Sequence, residues 1–127
     1  MEPFRFHELL TIPVNQGGGD VEFTVPNNKL LHIEFISGDM ELSASQDSFV
    51  TVSIAIFDAA GTRTGVYCAI AQKLGNKGTS DVFEWGQLVS VYADPGTKVG
   101  VRVNRFGAPV HDQIGVLMSI SGRLFTV

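Results

Sequence analysis

FVTVSIAIF, residues 49–57, is the stretch that decides the fold. Every second position from 50 to 56 is Val or Ile, and the positions between them are Thr, Ser and Ala. A strict period of two is typical of a β-strand, whose alternate side chains point to opposite sides of a sheet. Phe49, Ala55 and Phe57 make the second side apolar as well, and no charged residue interrupts the stretch. The stretch therefore predicts a strand that is apolar on both faces, whereas a strand in a simple sandwich needs only one face buried in the core.

The same period recurs along the chain, in residues 20–25, 30–36, 40–45, 98–104 and 114–124. Turn-forming residues separate these runs, and the clearest turn is Asp94-Pro95-Gly96-Thr97. Pro presets φ at its second position and Gly accepts a positive φ at its third, which favours a type II turn. We predict an all-β fold over residues 1–127, a single domain with eight or nine strands. The expected architecture is an antiparallel two-sheet sandwich of jelly-roll-like form.

Residues 64–74, TGVYCAIAQKL, are ambiguous. Val66, Ile70 and Leu74 are four residues apart and would share one face of a helix. The neighbouring segments are strand-like and a Gly turn precedes this one, so we interpret it as a strand. On that interpretation Cys68 is a small apolar residue of the core rather than a reactive nucleophile.

Composition excludes several classes of function. The chain has 127 residues, 44% of them hydrophobic, with a net charge of -4 and one cysteine. The acidic balance and the lack of a basic cluster argue against nucleic acid and anionic membranes as partners. One cysteine allows neither an intrachain disulfide nor a cysteine-rich zinc site. The N-terminus lacks the pattern of a signal peptide, and no apolar run is long enough to insert into a membrane. Localisation stays open between the cytoplasm and secretion with a leader removed.

Three short motifs are spread along the chain. FTVP at 23–26 leads into KLLHIE at 29–34 and SG at 37–38, YADPGT covers 92–97, and SISGRL covers 119–124. In these motifs the chain resembles a set of small, uncharacterised bacterial β-sandwich proteins. The resemblance implies a shared fold. Its motifs are turn and core patterns, so it implies no catalytic residues, and residues 45–80 have no counterpart in it.

Polar residues offer few candidate sites. His32 and Glu34 lie two residues apart and share one face of a strand, as a solvated polar pair or as a metal or acid–base pair. We favour the solvated pair, and a cupin-like metal centre is rejected because no further histidines lie nearby. His111-Asp112 is better explained as loop polarity than as an oriented base. Two acidic pairs, Asp20/Glu22 and Asp39/Glu41, each point to one face of a strand and could offer oxygen ligands to Ca²⁺. Their alternation with apolar residues explains both pairs without a ligand.

Aromatic residues are the most suggestive feature. Phe83 and Trp85 alternate with Val82 and Glu84. β-Sandwich binding modules can stack sugar rings on an exposed Trp or Tyr, with amides and carboxylates bound to the hydroxyls. Trp85 is otherwise a core residue. The predicted ligand-binding residues are Trp85, Tyr67, Glu84 and Gln87, with Gln72 and Asn76 as further polar partners.

Three functional hypotheses follow. The first is a non-catalytic binding module whose default ligand is a carbohydrate, without a cofactor or metal. The alternative is a structural protein that acts as a homo-oligomer, because residues 49–57 and the pair Leu117/Met118 are apolar on both faces. Residues 4–10 could instead cover that surface as an N-terminal arm. The third hypothesis is a small enzyme with a site on the rim of the sandwich. We do not predict an enzyme, since no nucleophile and base converge in the sequence.

Overall fold

The computed structural model describes residues 1–13, 16–43, 49–77, 80–106 and 114–127, of which 41–43, 49, 72–77, 80–81, 106 and 114 are described by their backbone alone. These residues form nine β-strands. The strands are β1 (Glu2–Ile12), β2 (Gly18–Thr24), β3 (Lys29–Ser43), β4 (Phe49–Phe57), β5 (Arg63–Ile70), β6 (Gln72–Lys77), β7 (Ser80–Ala93), β8 (Lys98–Phe106) and β9 (Ile114–Thr126).

The strands form two antiparallel sheets. One has five strands in the order β1-β9-β3-β7-β6, and the other has four in the order β2-β8-β4-β5. Apart from the additional edge strand β6, each sheet contains four strands whose order is that of two interlocked Greek keys, the jelly roll. The predicted all-β jelly-roll-like sandwich is confirmed. No helix long and apolar enough to cross a bilayer occurs in the described part.

Alternation of side chains builds the core between the two sheets. Val50, Val52, Ile54 and Ile56 of β4 are all buried, as the period of residues 49–57 predicts. β8 contributes alternate valines from the same sheet, and β3, β7 and β9 contribute larger side chains from the other. The fully buried positions include Leu31, Ile33, Phe83, Val99, Val103 and Ile120. The second face of β4 is also partly covered, because Phe57 is half-buried over Gly100.

The N-terminal residues form a strand rather than a covering arm. β1 pairs with β9 along its whole length, from Glu2 opposite Leu124 to Ile12 opposite Ile114. The rings of Phe4 and Phe6 lie with their centroids 5.3 and 4.8 Å from that of Phe23 in the other sheet. These aromatic contacts close the side of the sandwich where β1 and β2 are the edge strands.

Residues 64–74 are strand, as predicted, but they belong to two sheets. β5 ends at Ile70 in the four-stranded sheet, and β6 begins at Gln72 in the five-stranded sheet. Between them, the Ala71 N–H donates to the Val50 carbonyl at 2.8 Å, and the Ala71 side chain is buried. Ala71 is therefore the point where the chain passes from the four-stranded sheet to the five-stranded sheet.

The prediction that Cys68 is a core residue is wrong. The register places Tyr67 opposite Ile54 and Ala69 opposite Val52, and these residues face the core. Because side chains alternate, Cys68 points to the outer face of the four-stranded sheet and is exposed. The sequence could not decide this, since both faces of residues 64–70 carry apolar side chains.

The turn at residues 94–97 is confirmed. The Thr97 N–H donates to the Asp94 carbonyl at 3.2 Å, and Gly96 has a φ of 76°. Gly is required here because a positive φ is strained for residues that carry a Cβ. The turn is also bonded to the residue that follows β2, because the Gly96 N–H donates to the Val25 carbonyl at 3.0 Å.

Candidate interaction surface

Trp85 points into the core. Its side chain is 6% exposed, and it lies opposite Gly38 on the neighbouring strand β3. A Cβ atom at position 38 would overlap the Trp85 ring and the Leu117 carbonyl oxygen. The indole thus occupies the space that the glycine leaves open. Stacking on a sugar requires a solvent-accessible ring face, and the structure does not offer one at Trp85.

Of the other predicted ligand-binding residues, Glu84 lies near Trp85. Glu84 is exposed on the opposite face of β7, and both residues line the depression beside Gly38. Gln87 is exposed two residues beyond Trp85, and Tyr67 is half-buried on β5, in the other sheet. The side chains of Gln72 and Asn76 lie outside the described residues. The structure therefore does not bring the described residues together as one site.

His32 and Glu34 share the outer face of the five-stranded sheet, in a larger polar cluster. The His32 Nε2 and Ser90 Oγ atoms are 2.9 Å apart, and the His32 ring stacks on Tyr92 with centroids 4.2 Å apart. The Glu34 Oε1 atom accepts a hydrogen bond from the Arg123 Nε–H at 2.9 Å. The cluster joins side chains from β7, β3 and β9. No group of three potential metal ligands occurs in the described part of the chain.

The order Ser90, His32, Glu34 invites comparison with a hydrolytic triad. The His32 Nδ1 and Glu34 Oε2 atoms are 3.9 Å apart, beyond the roughly 2.6–3.2 Å at which a carboxylate orients a base. Arg123 already occupies the other oxygen of that carboxylate. Ser90 also sits within an extended strand, away from the turn or helix N-terminus that commonly supplies oxyanion donors. The cluster has the geometry of a cross-strand polar ladder.

The carboxylates of the acidic pairs that the structure describes lie beside other charged side chains. The Asp20 Oδ1 atom lies 3.7 Å from the Arg102 Nη1 atom, and the Glu22 Oε2 atom lies 3.6 Å from the Lys98 Nζ atom. Asp39 lies opposite Glu84 on the outer face of the five-stranded sheet, and the Glu41 side chain is outside the described residues. His111 and Asp112 also lie outside them. Cation binding at Asp20/Glu22 is not needed to explain two carboxylates that already face cationic side chains.

Five large apolar and aromatic side chains project from the outer face of the five-stranded sheet. Leu9 lies opposite Leu117, and Phe35 lies opposite Leu88, on neighbouring strands. Their exposed fractions reach 63% for Leu9 and 81% for Leu88, and Tyr92 is 57% exposed. We call these residues the outer-face patch: Leu9, Phe35, Leu88, Tyr92 and Leu117. A depression of about 450 Å³ that includes Ser37 and Ser119 lies beside Leu9 and Leu117.

A second exposed apolar row lies on β5. Val66, Cys68 and Ile70 alternate onto the outer face of the four-stranded sheet, where Val66 is 51% and Ile70 74% exposed. β5 is also an edge strand, with β4 on one side and no partner among the described residues on the other. This row and the outer-face patch lie on opposite faces of the sandwich.

The sequence predicts only part of these two surfaces. It predicts surplus apolar surface at Phe49, Ala55 and Phe57; Phe57 is half-buried, and the Phe49 side chain is outside the described residues. Leu88 shares the alternation of the polar positions Glu84, Gly86 and Ser90. An apolar residue in the polar half of a strand pattern is the signal that identifies an exposed contact residue. Leu117, which the sequence analysis places opposite Met118, is confirmed as exposed at 56%.

Similarity to known proteins shows the fold alone. No family model and no curated protein matches the chain, so the resemblance to small bacterial β-sandwich proteins stays a prediction. Two solved structures from infectious bursal disease virus are similar. The crystal structure of the VP2 subviral particle has a TM-score of 0.54 at 11% sequence identity, and the match covers 98% of this chain and 33% of the viral chain. The structure of the Gx strain has a TM-score of 0.55 at 12% sequence identity, and the match covers 98% of this chain and 32% of the viral chain. The chain therefore spans about a third of the length of both.

Proposed function

We propose that the chain is a structural subunit that acts by associating with copies of itself. The observation that carries this proposal is the outer-face patch. Single exposed leucines are normal on a soluble protein. Here two pairs, Leu9 with Leu117 and Phe35 with Leu88, are directly opposite on adjacent strands of one sheet face. The two pairs lie four positions apart along the strands, with Ser37 and Ser119 between them, so they form two apolar contact points on one sheet face. Exposed apolar surface grouped on one face is typical of a contact with another protein.

The fold is compatible with such a role. One of the two similar structures is that of a VP2 subviral particle, so this type of sandwich occurs within an assembly. At 11% identity the likeness concerns the fold and transfers no contact residues. The proposal therefore depends on the surface of this chain.

Carbohydrate binding has weaker support. It depends on an accessible aromatic ring with polar groups around it. Trp85 is buried, and Tyr67 belongs to the other sheet from Glu84 and Gln87. An enzyme with a rim site would need a base oriented by its carboxylate, and His32 and Glu34 are too far apart for that.

The mass of the native particle tests the proposal. Size exclusion with light scattering on the wild type at micromolar concentrations should give a mass above the 13.7 kDa of one chain. Leu88→Glu should lower that mass, because a charge at the most exposed residue of the patch opposes burial of the surface. Val127→Glu is the matched control, since Val127 is 69% exposed but lies outside the patch. A wild-type mass of one chain at high micromolar concentration would contradict the proposal.

A further inference from the structure

Among the edges of the described strands, the free edge of β5 is the one least protected by charge. Residues 64–70 of this strand carry no charge. By contrast, β1 carries Glu2, Arg5 and Glu8, and β2 carries Asp20 and Glu22. Charged side chains on an edge strand oppose the addition of another strand, whereas an uncharged edge with unpaired backbone groups is a ready template.

The hydrogen-bond pattern shows which backbone groups of β5 face outwards. Ala71 donates its N–H to Val50 on β4, and the register continues without irregularity from Ile70 to Gly65. In an antiparallel ladder, alternate residues direct both N–H and C=O to the same neighbour. Ala69, Tyr67 and Gly65 therefore face β4. The N–H and C=O groups of Val66, Cys68 and Ile70 point to the free edge.

β7 also has an edge without a described partner beyond Glu84, on the same side of the sandwich as β5. That stretch is irregular, since the pairing with β3 passes from Leu88 opposite Phe35 to Val91 opposite Ile33. Such irregularity interrupts the even spacing that an added strand needs. β5 is regular over the same length, so it is the better of the two edges for pairing.

We infer that β5 pairs antiparallel with β5 of a second copy of this chain, around a two-fold axis at Tyr67. This register is allowed because it sets Val66 opposite Cys68, and both positions direct their backbone groups outwards. Ile70, which also directs its backbone groups outwards, lies opposite Thr64, next to the irregularity in the pairing with β4. The inference rests on the proposed function, because it names one place where the copies meet. The result is one continuous eight-stranded sheet that crosses both subunits.

Self-complementarity of β5 favours a second copy as the occupant. Residues 64–70 carry no charge, so pairing two copies of this segment brings no like charges together. The net charge of -4 on each chain opposes association, and an uncharged contact segment keeps that cost low. Val66 of one copy lies beside Cys68 of the other on the outer face of the joined sheet, where each partly covers its neighbour.

The groove beside β5 adds surface to this contact. It has a volume of about 500 Å³ and lies between β5 and β7, lined by Ile54, Ile56, Tyr67, Val91 and Tyr92 among others. In the proposed register, Tyr67 lies opposite Tyr67 of the second copy, on the groove side of the sheet. The tyrosines then cover the open side of the sandwich, which corresponds to the side that Phe4, Phe6 and Phe23 close within one chain.

Cys68 makes the pairing measurable, because it is exposed and is the only cysteine of the chain. In this register the two Cys68 residues are diagonal neighbours across the strand pair, roughly 7–8 Å apart at Cα. A short bismaleimide should therefore convert the wild type into a covalent dimer. Leu88→Glu should cross-link equally well, since Leu88 neither lies on β5 nor lines the groove beside it. Cys68→Ser controls for reaction at other groups.

Val66→Pro is the decisive variant. Proline removes the Val66 N–H, which makes no bond to β4, and it leaves Cys68 in place as the reporter. We expect loss of the cross-linked dimer, while Val66→Ala, which keeps the N–H, should still cross-link. Persistence of the dimer in Val66→Pro would overturn the inference, because the contact would not use the β5 backbone.

Amide hydrogen exchange at two protein concentrations tests the same contact without a substitution. The amides of Val66, Cys68 and Ile70 should exchange slowly at high concentration and rapidly at low concentration, whereas those of Tyr67 and Ala69 should stay protected. An oligomer by light scattering that neither cross-links nor shows this protection refutes β5 pairing and leaves the proposed function standing. A wild-type monomer at high micromolar concentration refutes both.

Discussion

At the residue scale, Gly38 and Trp85 behave as one packing unit. Gly38→Ala should destabilise the fold by about 1–3 kcal/mol, because the new methyl group overlaps the indole ring and a backbone oxygen. Urea denaturation measures the loss. Because the two residues are in contact, Gly38→Ala and Trp85→Phe together should change the free energy of unfolding by less than the sum of the two single changes, and additive changes would show that the residues do not interact.

Gly65→Ala is the control for Gly38→Ala. Its Cβ would lie 4.0 Å from the nearest atom, the Ile56 Cδ1. We expect a change within about 0.5 kcal/mol, typical of a substitution without a steric conflict. Equal losses in the free energy of unfolding from the two substitutions would show that overlap with Trp85 is not the cause of the Gly38→Ala effect.

A second residue-scale prediction concerns Glu2. The hydrogen bond and the charge of Lys29, whose Nζ atom lies 2.7 Å from the Glu2 Oε1 atom, lower the pKa of Glu2 from its ordinary value of 4.5. A lowered pKa in the folded state stabilises the protein above the unfolded-state pKa, and this contribution is lost as pH falls through the folded-state pKa. An NMR titration of the Glu2 carboxyl carbon should give a midpoint below 4.5, and Lys29→Met should raise it.

The Glu2 effect should also depend on salt, since the side chain is largely exposed and the attraction is screened. Thr126 offers an internal comparison, because it accepts a hydrogen bond from Lys29 at 2.9 Å but has no charge. Thr126→Ala should leave the Glu2 midpoint nearly unchanged. A midpoint that is the same in the wild type and Lys29→Met would refute the assignment of Lys29 as the cause.

At the element scale, the outer face of the five-stranded sheet contains an unfavourable pair. Asp39 on β3 lies opposite Glu84 on β7, and like charges directly opposite destabilise a sheet. Glu84→Lys should stabilise the protein by about 0.2–1 kcal/mol, because it converts repulsion into attraction. Glu84→Gln removes the repulsion only and should give a smaller gain. Chemical denaturation at low and high salt checks both, and a gain that salt does not reduce would contradict the electrostatic cause.

At the scale of the whole molecule, self-association predicts a melting temperature that depends on concentration. Association of folded chains stabilises the native state by mass action, so the melting temperature should rise as protein concentration rises. Leu88→Glu should weaken that dependence, while Val127→Glu should match the wild type. Circular dichroism at several concentrations measures it. A melting temperature independent of concentration in the wild type would indicate that folded chains do not associate.

The period of two was sufficient to predict the architecture. Residues 49–57 predicted a strand whose Val and Ile positions are buried, and the structure buries all four of them. The Asp94-Pro95-Gly96-Thr97 turn was equally clear, because Pro and Gly restrict the local backbone whatever surrounds them. Local patterns of this kind decide which residues form strands and which side chains share a face.

Only the tertiary structure decided which face was buried and which strand became an edge. Val66 and Cys68 alternate with Tyr67 and Ala69, and both sets are apolar, so the pattern could not show that Cys68 points outwards. From the sequence, Trp85 could be either an exposed sugar-binding residue or a core residue. The fold decides this, because it places Gly38, which is distant in sequence, beside the Trp85 ring. β5 likewise has a free edge because the chain leaves the four-stranded sheet at Ala71 and continues as β6 in the other sheet. Pairing partners and sheet order are long-range properties, because they arise from contacts between segments that the local sequence does not relate.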